Sequence, residues 1–87
     1  MLTDYNDEIK TVASFWGDKM PMMLMEECGE LIQALSKRER NHTLETEINV
    51  IEEIADVLIS IGAVMEHYGI SDDEVKHRIC NKLDRQY

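Results

Sequence analysis

The sequence is poor in proline, aromatic residues and positive charge. It holds one proline, one tryptophan and one phenylalanine, and nine lysines and arginines against eighteen aspartates and glutamates. No strand-like alternation of useful length occurs, so helix is the regular structure that remains. The net charge of -9 argues against a general nucleic-acid surface, which needs a basic face. An acid surplus suits a protein that collects divalent cations, and it equally serves solubility. No apolar run approaches the roughly 20 residues needed to span a bilayer, so no membrane role is expected. The two cysteines, Cys28 and Cys80, lie 52 residues apart without metal-type spacing. Cys28 reads as a small buried residue on a helix. Met1 to Lys10 is polar and acidic, unlike a secretory leader, and a cytoplasmic protein with reduced thiols is expected.

What is present is helical periodicity. With 87 residues the chain is expected to form one all-α domain over residues 1–87, of four helices, small enough to complete its core by oligomerisation. The first helix spans about Thr3 to Phe15 and stops near Gly17. The second spans about Pro21 to Arg40, with proline in its first turn. Its apolar stripe is Leu24, Cys28, Leu31 and Leu35, with Glu27 and Glu30 on the flank and Glu26 nearly opposite. Its basic end, Lys37-Arg38-Glu39-Arg40, suits a helix C-terminus or a phosphate contact. Asn41-His42-Thr43 offers caps for a third helix, about Leu44 to Tyr68, which ends at Gly69. That helix is apolar over more than half its circumference. Ile48, Ile51, Ala55, Leu58, Ile59 and Gly62 form one face; Val50, Ile54, Val57, Ile61 and Val64 form another, expected to meet a second subunit. Ser71 and Glu74 form a capping box for a last helix, with Val75, Ile79 and Leu83 inward.

The chemistry concentrates in two acidic clusters, Glu26-Glu27-Cys28-Gly29-Glu30 and Glu52-Glu53-Ile54-Ala55-Asp56. Each sets two acids three residues apart on one helix face, Glu27 with Glu30 and Glu53 with Asp56. Four acids converging from two packed helices repel one another unless a cation sits among them, and oxygen ligands suit Mg²⁺. The second cluster is embedded in the most apolar segment, where acids are otherwise costly. A hard cation with open coordination positions suits phosphate chemistry.

The pattern E-E-x-x-E followed by E-x-x-D resembles the MazG-like all-α nucleoside triphosphate pyrophosphohydrolases. So do Met25 to Ala34, Ile54 to Leu58 and the C-terminal run Asn81-Lys82-Leu83-Asp84-Arg85. The resemblance implies hydrolysis of (deoxy)nucleoside triphosphates to nucleoside monophosphate and pyrophosphate by a homodimer or homotetramer. It implies Glu27, Glu30, Glu53 and Asp56 as ligands of Mg²⁺, with Mn²⁺ as a substitute, and Lys82, Arg85 and Asn81 as phosphate contacts. The catalytic base is expected to be Glu27 or Glu30, which the sequence does not decide between. Trp16 is a candidate for stacking on the base, though a core or interface place is the commoner one for such a tryptophan. The competing reading is a non-catalytic helical oligomer that senses nucleotide or binds a protein.

Overall fold

A computed structural model describes residues 3–86, with the side chains of residues 3, 85 and 86 outside the description. All regular structure among the described residues is helical. A 3-10 turn, Thr3–Tyr5, leads into α1 (Asn6–Trp16), and a second one, Gly17–Lys19, joins α1 to α2 (Met20–Arg40). Helices α3 (Leu44–Tyr68) and α4 (Asp72–Gln86) follow. No helix is long and apolar enough to cross a membrane among the described residues.

The helix boundaries have local causes. Gly17 sits at φ 52° and its N–H bonds the Ala13 carbonyl, a backbone shape that glycine adopts without penalty. Pro21 stands in the first turn of α2, where its missing N–H costs nothing. Thr43 and Thr46 cap α3 reciprocally, with Thr46 N–H donating to Thr43 Oγ1 at 3.1 Å and Thr43 N–H to Thr46 Oγ1 at 2.9 Å. Gly69, at φ 68°, closes α3, and Ile70 N–H returns to the Met65 carbonyl. Ser71 Oγ accepts from Glu74 N–H at 3.2 Å and opens α4.

Helix α3 is the centre of the molecule. It packs most extensively against α2, in an antiparallel hairpin, and next against α1. The largest buried cluster is small, Ile9, Ala13, Met20 and Ala63, lined by Val12, Trp16, Met23 and Val64, and Ala34, Val50 and Val57 are buried besides. Gly62 lets α1 come close, because a Cβ there would lie 3.1 Å from Ile9 Cδ1. His67 Nε2 lies 3.7 Å from Asp18 Oδ1, a contact between the α1–α2 corner and the end of α3.

Three sequence expectations need correction. The α2 stripe is rotated. At about 100° per residue, the buried and half-buried positions Met20, Met23, Leu24, Glu27, Leu31, Ala34 and Arg38 form the face turned to α3. Glu27 therefore sits within the packing stripe, not on its flank, while Cys28 is exposed and Leu35 is 42% exposed. Second, the α3 face expected to meet another subunit is partly spent inside this one. Val50 and Val57 are buried, Ile61 and Val64 half-buried, and Ile54 alone is 44% exposed. Third, α4 makes no extended contact with any other element. Ile79 and Leu83, expected inward, are therefore 47% and 50% exposed.

The hairpin thus has two unlike flanks. Helical register sets Leu24, Cys28, Leu31 and Leu35 of α2 beside Val50, Ile54, Val57 and Ile61 of α3 along an apolar flank. The opposite flank carries Glu30 of α2 and Asp56 of α3, and there the chemistry gathers.

Candidate functional site

Glu27, one turn before Leu31 on the packed face of α2, meets Glu53 on the packed face of α3. Glu30, one turn after Glu27, stands at the exposed edge. Carboxylate oxygens of Glu27, Glu30 and Glu53 all lie within 4.8 Å of one another. Glu27 Oε2 and Glu53 Oε2 are buried, and neither has a hydrogen-bond partner. Native proteins rarely leave such atoms unsatisfied.

Electrostatics gives the same picture. The Glu27 carboxyl titrates above its ordinary range, first because burial disfavours its charge, then because Glu30, Asp56 and Glu53 repel it. Glu53 is raised too, by burial first, then by Glu30 and Asp56, with Glu52 adding to the repulsion. Asp56 is exposed and stands outside the trio, yet its charge acts on both inward glutamates. Glu26 is exposed on the outer side of α2.

The residues present fit a hard cation. Their contacting atoms are all carboxylate oxygens, two are orphaned, and all belong to rigid helices. A divalent ion among them would satisfy the orphaned oxygens and cancel the mutual repulsion.

The remaining candidate residues are distributed differently. Lys82 is exposed and Asn81 half-buried on α4. Because α4 has no extended contact with the hairpin, the isolated subunit does not pack this C-terminal run against the carboxylates. The Arg85 side chain lies outside the described residues. Trp16 is half-buried against the core cluster. It meets the ring of Phe15 edge-on at 5.1 Å, and Phe15 is the exposed member of the pair at 78%.

One arrangement escapes a linear reading. Arg38 Nε donates to Glu47 Oε2 at 2.5 Å, and His42 Nε2 lies 3.1 Å from the same oxygen. The Arg38 hydrogen bond, ahead of its charge and of His42, holds the Glu47 carboxyl below its ordinary range. This three-residue clasp ties the end of α2 to the start of α3. It adds a polar contact at the connected end of the two helices that carry the acids. Nothing in the spacing of these residues signals it, because the partners meet only once the hairpin has formed.

A comparison with curated proteins and one with solved structures each returned no match. A comparison with protein families matches residues 17–87 to the MazG nucleotide pyrophosphohydrolase domain. The matched span holds α2, α3 and α4, with both acidic clusters. The chain therefore belongs to the MazG nucleotide pyrophosphohydrolase domain family.

Proposed function

We propose that this chain hydrolyses (deoxy)nucleoside triphosphates to nucleoside monophosphate and pyrophosphate with a divalent cation, Mg²⁺ or in its place Mn²⁺. One observation carries the reading: two buried carboxylate oxygens without partners, Glu27 Oε2 and Glu53 Oε2, within a trio of acids inside a helix interface. Glu27, Glu53 and Glu30 would hold the cation, with Asp56 completing the set from the edge. The bound cation supplies charge neutralisation for the triphosphate and a lower pKa for attacking water.

The chain's own residues do the rest. The rigid hairpin holds the acids in register, and the half-buried positions of Glu27 and Glu53 limit water on the inner side. Attack at the α-phosphorus releases a proton. Glu30 is the exposed acid of the trio, so it can take that proton and pass it to solvent. Asn81, Lys82 and Arg85 would reach the phosphates only if α4 of one subunit lies against the hairpin of another.

That requirement and the part of the apolar flank left exposed, Cys28, Leu35 and Ile54, support a homodimer or homotetramer. Sedimentation should find more than one subunit, and Leu35→Glu should return the protein to monomers, because a charge in an apolar interface is costly. A Leu35→Glu variant that sediments like the parent would remove this flank from the interface.

The activity is tested by pyrophosphate release from a panel of ordinary and modified nucleoside triphosphates, with Mg²⁺ and with EDTA. Release that needs Mg²⁺ and leaves nucleoside monophosphate supports the reading. No release from any substrate would favour a helical oligomer that binds nucleotide or protein without turnover, the alternative to which the apolar flank also lends itself.

A further inference from the structure

We infer that Lys37 receives the outer phosphates of the substrate, so that the triphosphate runs from the carboxylate trio toward the α2–α3 connection. This rests on the pyrophosphohydrolase reading above and adds a direction and a residue to it. Lys37 follows Glu30 by seven residues, two helical turns, so both project from the same side of α2 with an axial separation of about 10 Å. That span, shortened by a long flexible lysine stem, is of the order of a polyphosphate chain.

The basic end of α2 holds three cations, and two are already committed. Arg38 bonds Glu47 and Glu39. Arg40 Nε donates to the Ser36 carbonyl at 3.3 Å. Lys37 is exposed, its carbonyl caps the helix by accepting from Asn41 N–H at 2.9 Å, and among the described residues no hydrogen bond or ion pair engages its ammonium group. It lines a cleft with Arg40, Asn41 and Thr46. Thr46 also lines a neighbouring surface cleft on α3 with Glu45, Ile48, Asn49 and Glu52, the residue before Glu53.

On α3 Asn49 contributes a half-buried carboxamide one turn before Glu53, a neutral donor on a helix side that also carries Glu45 and Glu52. Glu45 and Glu52 are exposed, and register places them further out on α3 than Asn49. A phosphate chain between the helices therefore meets the amide and the ammonium on its way to the connection. In the opposite direction α2 offers no cation, and the first one met is Lys19 in the preceding 3-10 turn, eleven residues before Glu30, a longer span than that to Lys37.

The test compares the parent with Lys37→Gln, Lys37→Arg and, as a control for general surface charge, Lys19→Gln. Lys37→Gln should raise KM for nucleoside triphosphate about tenfold, the size of one charge-assisted contact. The turnover number should stay within about twofold, the mark of lost uniform binding. Lys37→Arg should recover most of the loss, and Lys19→Gln should change neither constant. Inorganic pyrophosphate binding with Mg²⁺, read by calorimetry, should weaken in Lys37→Gln by the same factor. Unchanged KM and pyrophosphate affinity in Lys37→Gln would overturn the inference, as would an equal loss in Lys19→Gln. A parent that binds Mg²⁺-pyrophosphate through Lys37 yet releases none from any nucleotide would sink the enzymatic reading and leave the phosphate contact standing.

Discussion

Glu27→Gln should lower pyrophosphate release by more than about 100-fold, since even partners that only orient metal ligands cost 10–100-fold when removed. The same substitution should raise the melting temperature of the cation-free protein at neutral pH. The two effects have one origin. Glu27 lies in the packed face of α2, with one oxygen buried and unpaired, and burial and three neighbouring acids oppose its charge. Glutamine keeps the shape and removes the charge. Helical circular dichroism, thermal melts with EDTA and the release assay together decide the matter. A variant that stays active, or one that melts below the parent without cation, would contradict the placement of Glu27. Asp56→Asn should also lose activity with the helices intact. Its gain in melting temperature should be smaller, because Asp56 is exposed.

Magnesium should raise the melting temperature at neutral pH by roughly 10–20 °C when present at about 100 times its dissociation constant. The dependence on pH follows from the direction of the shifts. Glu27 and Glu53 both titrate above the ordinary 4.5. A carboxyl whose pKa rises on folding binds its proton more tightly in the folded chain. Its stabilising contribution is complete below the unfolded value and is lost as pH climbs through the raised folded value. Without cation, these two groups should therefore make the protein less stable as pH rises from about 4.5 toward neutrality. Glu47 works in the opposite sense. Its folded pKa is lowered, by Arg38 above all, so its contribution is present above the unfolded value and disappears as pH falls through the lowered one. Calorimetric melts from pH 4 to 8, with EDTA and with Mg²⁺, should show two curves that diverge as pH rises. Parallel curves would mean that the cation does not sit among these acids.

Much of the helical frame was legible in the sequence because its stops are local. Thr43 and Gly69 bound α3 at the residues expected, and Gly17 and Pro21 mark the α1–α2 corner. The acid pairs were legible for the same reason, since a three-residue spacing on a helix fixes their common side. The rotation of α2 was not. An apolar stripe drawn through Leu24, Cys28, Leu31 and Leu35 assumes that only apolar residues pack. Here Glu27 and Arg38 occupy buried-side positions, one facing the acids and the other held by Glu47, and the packed face turns accordingly. Cys28 then moves outward. The place of α4 was not legible either. Its Val75, Ile79 and Leu83 carry a core-like pattern, but among the described residues only Val75 is half-buried, while Ile79 and Leu83 stay exposed. Periodicity says that a face is apolar and not what covers it.

The acid trio inside the hairpin has a practical consequence for anyone seeking a hardier variant. In a buffer containing a chelator, the substitutions that raise heat resistance most readily should be those that neutralise Glu27 or Glu53. A screen scored on survival alone would thus enrich for proteins that fold well and do nothing. Selection in saturating magnesium reverses that ranking, because the same two residues then become the ones a sturdy protein cannot lose.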